Sequence, residues 1–210
     1  TGSLDGAYHS VTLALRVTAE DTAASWGLFR ALNGAAIRDL RLAGELAVAE
    51  DSPAQSVGAL AGMVFGDTIV SSCRSEVQIS VSTSDSHVGS LVGSVTGGTL
   101  TLTGCANAGT VKALNSAAAG GLVGSVLSGS VTIQRSYQYG DVQTDYLTGN
   151  ALTYDNIIFQ YCPWEKFDDN GYLNIDVLSG GAGKFITNGK AIDITWKKDN
   201  INTEDPFANE

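Results

Sequence analysis

The chain carries three thiols, Cys73, Cys105 and Cys162, and two imidazoles, His9 and His87. A thiol becomes a nucleophile when an imidazole takes its proton and a third group orients that imidazole. Here the imidazoles stand far apart in sequence and no Asp or Asn is a dependable third partner, so nucleophilic catalysis is not expected. The same shortage of ligands argues against zinc, and no metal or cofactor is expected. An odd cysteine count supplies no disulfide framework.

Other candidate chemistry fails on spacing. Asp168-Asp169-Asn170-Gly171, with Asn174 and Asp176, offers oxygens to calcium. An EF-hand loop needs its glycine at about the sixth position, and Gly171 comes too early, so a hairpin turn is expected. Gly180-Gly181-Ala182-Gly183-Lys184-Phe185 suggests a phosphate loop, but Leu178 and Phe185 stand where glycine and a hydroxyl are required. Glycan cleavage needs a carboxylate cluster, or a carboxylate beside Lys or Arg. Asp67, Glu76 and Asp85 are the residues that would carry it, and they are sparse. Tyr137, Tyr139, Tyr146 and Trp164 gather near one another, with Tyr154 and Tyr161 among them. They suit stacking on sugar rings or a buried junction between two regions.

What must position these groups is a repeat. Gly27, Gly58, Gly89 and Gly121 lie 31, 31 and 32 residues apart, the later three within Val57-Gly58-Ala59-Leu60-Ala61-Gly62, Val88-Gly89-Ser90-Leu91-Val92-Gly93 and Gly120-Gly121-Leu122-Val123-Gly124. Behind each glycine segment come short β-type runs such as Thr99-Leu100-Thr101-Leu102-Thr103, with apolar and hydroxyl residues alternating. A period of that length with strand-like content predicts a solenoid. The expected fold is all-β: a parallel β-helix of about four coils, with about three short strands each, over 1–148. The register predicts two inward columns, Leu46, Ile79, Val111, Val142 and Leu40, Cys73, Cys105, Ser136. Cys73 and Cys105 are therefore expected as buried free thiols, although neighbouring coils are close enough for a disulfide. Flat threonine arrays on such folds can bind ice, but the expected neighbours of Thr99, Thr101 and Thr103 (Thr68, Val70, Ser72 and Ser130, Thr132, Gln134) are too irregular.

Ser10–Val17 alternates and predicts a strand leading into the stack. Ala23 to Leu32 fits a coil corner better than a helix. Beyond about Asn150 the period stops. Asn156–Tyr161, Tyr172–Val177 and Ala191–Trp196 read as strands, with Asp169-Asn170-Gly171 and Asn188-Gly189 as turn signals. A small antiparallel sheet over 149–210 is expected, capping the solenoid or standing beside it.

Composition narrows the partners. The chain has 210 residues; its 43% of hydrophobic residues is ordinary for a globular protein, and its net charge of −10 argues against nucleic acid and anionic membranes. From Val57 to Val142 only seven side chains are charged: Asp67, Arg74, Glu76, Asp85, Lys112, Arg135 and Asp141. Stacking one charge on itself every coil would set like charges face to face, and Ser, Thr, Asn and Gln avoid that. Such a neutral polar surface suits an extracellular setting. No apolar run is long enough to span a membrane. Thr1-Gly2-Ser3 lacks a secretory leader, which reads as a mature form or an excised piece.

The repeated Val-Gly-x-Leu-x-Gly, followed by Ile/Leu-x-x-Cys and Gly-x-Val and preceded by Ser3-Leu4-Asp5-Gly6, resembles the GLUG-repeat family of bacterial surface and secreted proteins. The resemblance covers about residues 3–142 and implies surface display and adhesion-like roles, with no catalytic residue. Tyr154-Asp155-Asn156-Ile157-Ile158, Gly181-Ala182-Gly183-Lys184-Phe185 and Asn188–Lys198 resemble the C-terminal part of DUF3048, a domain of unknown function. The resulting expectation is a non-enzymatic extracellular binding or adhesion module, facing a surface glycan or protein. The alternative is a structural stalk or self-assembling subunit, whose partners are its own copies. A glycan-cleaving β-helix enzyme is a remote third.

Overall fold

The computed structural model describes residues 2–143, apart from 115, 117 and 139, together with 186, 187, 190 and 191. Every regular element among the described residues is a β-strand. An incomplete first layer, β1 (Gly2–Asp5) and β2 (Ser10–Val17), precedes four coils. The first contains β3 (Ser25–Trp26), β4 (Phe29–Leu32), β5 (Ala35–Arg38) and β6 (Arg41–Val48). The second contains β7 (Ser56–Gly58), β8 (Ala61–Val64), β9 (Thr68–Ser71), β10 (Arg74–Ser75) and β11 (Gln78–Val81). The third has β12 (His87–Gly89), β13 (Val92–Thr103), β14 (Ala106–Asn107) and β15 (Val111–Lys112). The fourth has β16 (Ala118–Gly120), β17 (Val123–Gln134), β18 (Tyr137–Gln138) and β19 (Val142–Gln143).

Neighbouring coils pair in parallel throughout, so the predicted β-solenoid of about four turns is the fold of the described repeats. A coil has four or five strand segments rather than about three. The extra ones arise where a strand is interrupted by a corner in one coil and runs on through it in the next. β13 and β17 are each one strand of 12 residues that runs through the bend separating β8 from β9. A separate four-stranded sheet, β16-β12-β7-β3, closes the remaining side of the coil. Ser10–Val17 is the predicted strand, paired along its whole length with β6. Ala23–Leu32 contains two short strands flanking a corner, in place of a helix.

Both predicted inward columns form. Leu46 pairs with Ile79, Ile79 with Val111 and Val111 with Val142, and all four are buried. Leu40, Cys73, Cys105 and Ser136 are buried in the second column. One continuous core runs from Leu13 to Val142. Each fully buried Leu, Ile or Val in such a column contributes about 1.5–3 kcal/mol.

The glycine repeat has a steric origin. Gly58 pairs with Gly89 and Gly89 with Gly120, while Trp26 with Val57 brings Gly27 into the same column. The fourth coil thus enters through Gly120 rather than Gly121, and the step is 31 residues at all three intervals. A Cβ on Gly58 would lie 2.5 Å from the Ala61 carbonyl and 2.7 Å from the Gly93 amide. On Gly89 it would strike the Val92 carbonyl and come within 2.6 Å of the Gly124 amide. The motif's second glycine serves a different contact. Gly62, Gly93 and Gly124 face the backbones of β3, β7 and β12, leaving no room for a side chain between the layers. In the first coil the stretch from Gly27 to Phe29 matches Gly58 to Ala61, so that corner is one residue shorter.

Ile186–Thr187 and Lys190–Ala191 (β20 and β21) form an antiparallel pair flanking the Asn188-Gly189 turn signal. The rest of the predicted C-terminal sheet, its role as a cap and the boundary at 148 lie outside the described residues.

Candidate functional site

Five residues in left-handed conformation stand in line along one corner: Tyr8 (φ 60), Asp39 (φ 53), Ser72 (φ 51), Gly104 (φ 63) and Arg135 (φ 48). Each precedes a member of the cysteine column. The corner turns the chain from the β9 side of the coil to the β10 side and aims the next side chain inward. Only glycine adopts this backbone freely; Asp tolerates it, and Ser and Arg pay for it. Behind the corner the thiols of Cys73 and Cys105 are free and buried. The Ala106 amide donates to the Cys73 carbonyl at 2.9 Å, which fixes the two coils in register. Sγ of Cys73 points at the Ser71 carbonyl, 3.3 Å away, and Sγ of Cys105 at the Val70 carbonyl, 3.5 Å away. A hydrogen bond from the Cys105 S–H lowers the pKa of Cys73, whereas burial pushes that of Cys105 well up.

The histidines do not join them. Pairing of Ser10 with Arg41 and of Arg41 with Arg74 puts His9 in the cysteine column, but Leu40 is interposed between it and Cys73. Two coil steps of about 4.8 Å separate imidazole and thiol. His87 pairs with Ser56 and Ala118 on the short sheet. Its Nδ1 is buried without a partner among the described residues, and desolvation lowers its pKa. Asp67, Glu76 and Asp85 also stand apart. Asp67 accepts the Thr99 amide at 2.9 Å, Glu76 pairs with Arg74 at 2.9 Å, and Asp85 lies in the connection before β12. Among the described residues no three His, Cys, Asp or Glu side chains group as metal ligands.

One internal feature escapes sequence reasoning. Ser75 pairs with Asn107 and Asn107 with Gln138, all buried. Asn107 Nδ2 donates to the Gly109 carbonyl and to Gln138 Oε1, each at 2.8 Å, while its Oδ1 accepts the Gly109 amide at 3.1 Å. Gln138 Nε2 repeats the bond one coil on, to the Gly140 carbonyl at 2.6 Å. The signal was the recurring polar residue two positions after each Cys or Ser of the column, which reads as surface until the register is known.

The outward surface of β9, β13 and β17 is an uncharged display. Thr99, Thr101 and Thr103 pair with Ser130, Thr132 and Gln134, and the Ser130 hydroxyl donates to Thr99 Oγ1 at 3.1 Å. On the other side the expected register slips by one. Thr101 pairs with Ile69 and Thr103 with Ser71, so Thr68 and Val70 are buried and Ile69 is 55% exposed. Phe65, 44% exposed, and Leu127, 47% exposed, stand at the preceding corner. In the first coil the guanidinium of Arg30 lies 5.0 Å from the centre of the Trp26 ring.

Of the aromatic candidates, Tyr137 belongs to β18 and pairs with Ala106. Its side chain, together with Tyr139, Tyr146, Tyr154, Tyr161 and Trp164, lies outside the described residues, as do Cys162, the Asp168–Gly171 turn and the Gly180–Phe185 segment.

Residues 134–208 match the family model described as the C-terminal domain of a protein of unknown function, DUF3048. The match begins at the last residue of β17 and so takes in β18 and β19 of the fourth coil. It bears out the second resemblance, over less than half of the chain. No curated protein and no solved structure matches the sequence.

Proposed function

We propose that the solenoid is a non-enzymatic binding module of a bacterial surface protein, displayed outside the cell. The observation that carries this reading is the hydroxyl-rich, uncharged face of β13 and β17, Thr99-Thr101-Thr103 over Ser130-Thr132-Gln134. Paired backbone holds these groups at fixed spacing, so a partner recovers hydrogen bonds without ordering the side chains afresh. Exposed Ile69 and Phe65 at its border supply the apolar contact that such recognition uses. The neutral surface suits an uncharged partner, such as a surface glycan or a matrix protein, and the GLUG resemblance of residues 3–142 points the same way. Glycan cleavage draws no support from the separate positions of Asp67, Glu76 and Asp85.

The test is a glycan and matrix-protein array probed with the wild type, with Thr101→Arg and with Phe65→Ser. The expected outcome is a ligand retained by the wild type and weakened by at least tenfold in Thr101→Arg, with unchanged circular dichroism. Equal retention by both variants would remove this face from the reading.

The second reading, a stalk or self-assembling subunit, is favoured by the regularity of the parallel stacking. Light scattering on a size-exclusion column separates the two: growth into chains with concentration supports assembly, and a constant monomer removes it.

A further inference from the structure

We propose that Cys73 and Cys105 are a modification site: oxidation by hydrogen peroxide joins them in a disulfide that staples the second coil to the third. The inference goes beyond the binding reading and does not depend on it.

The geometry supplies proximity. The two residues are in register on adjacent parallel coils, where Cα atoms stand about 4.8 Å apart, inside the range a disulfide spans. Both side chains point inward, and both are fully buried. Closing the bond draws the Cβ atoms together by about 1 Å. The corner residues Ser72 and Gly104 are the hinge that absorbs this. Gly104 has open space where a side chain would be, with only Ser72 at 3.9 Å. Peroxide, small and uncharged, reaches the buried thiols by transient opening of this corner.

The two thiols also have unequal roles. Cys73 ionises first, because the Cys105 S–H stabilises its thiolate, whereas Cys105 holds its proton. The Cys73 thiolate attacks one peroxide oxygen and the O–O bond breaks. Cys73 becomes a sulfenic acid, and hydroxide leaves and takes up a proton. The Cys105 sulfur then attacks the Cys73 sulfur, the S–O bond breaks, and the Cys105 proton departs with that hydroxyl as water. Overall, two thiols and one peroxide give one disulfide and two waters. Ser136 continues the column in the fourth coil, its Oγ accepting the Cys105 amide at 2.9 Å. The column therefore tolerates a hydroxyl, and Cys105→Ser is a folded control.

The experiment uses the full chain carrying Cys162→Ser, so that the third thiol cannot exchange. The protein is treated with peroxide, alkylated in denaturant, digested without reductant and mapped by mass spectrometry. The expected result is a peptide pair joined through Cys73 and Cys105, in monomeric protein, with a thermal midpoint above that of the reduced protein. Cys105→Ser should instead hold a sulfenic acid at Cys73 that dimedone traps. Recovery of both cysteines fully alkylated would overturn the proposal. So would cross-linking found only between chains, or a sulfinic acid at Cys73 with Cys105 still free.

Discussion

Two glycines of this chain are needed for different physical reasons, and one substitution tells them apart. Gly89 has no space: an added methyl meets the Val92 carbonyl and the Gly124 amide, both parts of paired backbone. Gly104 has space and an unusual backbone, with φ at 63°. Gly89→Ala should cost about 3 kcal/mol, the upper range for overpacking, and Gly104→Ala about 1 kcal/mol, both read from urea unfolding. Equal losses would mean that the close approach at the first corner is not what the motif protects. His87 gives the chain a pH response. Burial keeps its folded pKa below the ordinary 6.5, so the unfolded chain takes up the proton at higher pH than the folded one. Stability is then full above about pH 6.5 and falls as pH drops through that value toward the folded pKa. His87→Gln should flatten unfolding midpoints measured between about pH 7 and 5, and an unchanged slope would assign the response elsewhere.

At the scale of strands and coils, the repeat fixes what can be removed. Gly58 and Gly89 occupy equivalent places, and so do their neighbours on both sides. Excising residues 59–89 joins Gly58 to Ser90 and lets β8 of the second coil be replaced by its counterpart in β13. This variant should fold, with a β-type circular dichroism spectrum and cooperative unfolding at a lower midpoint, because coils contribute nearly independent and neighbour terms. A deletion of half a coil would turn every inward side chain to a different side, and it should not fold. If the two deletions behave alike, coils are not the unit of stability. The sequence made this architecture legible because period-two alternation inside a 31-residue period leaves few alternatives, and Leu46, Ile79, Val111 and Val142 marked the register. It misled where adjacent coils carry different residues at one level. Thr68 and Val70 resemble the outward threonines of the next coil, and only the pairing of Leu102 with Val70 shows them to be inward. The tandem Gly120-Gly121 similarly concealed which glycine holds the corner. The polar Ser75-Asn107-Gln138 column was hidden because burial of an amide depends on a turn carbonyl that no pattern of side chains announces. The face proposed for binding was legible only as a run of hydroxyls.

Along the described coils like charges are mostly kept apart, although Arg41 stacks on Arg74, where Glu76 lies 2.9 Å from Arg74. Between Val57 and Val142 there are four acids and three bases, and in the earlier layers Arg16 pairs with Glu45 at 3.0 Å and Arg38 with Asp5 at 2.6 Å. Exposed pairs of this kind contribute about 0–1 kcal/mol each, and screening removes little more. Raising sodium chloride from low to high concentration should therefore shift the free energy of unfolding by less than about 0.5 kcal/mol, despite the net charge of −10. A large stabilisation by salt would show that repulsion between the coils had been underestimated.

The 31-residue step also bears on how such a chain changes length over generations. Both faces of each coil are already complementary to a coil of the same kind. A duplicated segment of one period would thus meet a ready-made neighbour above and below. Unequal recombination between repeats can lengthen or shorten the molecule by about 4.8 Å at a time, with no new interface to be invented and the corner glycines copied along with the rest.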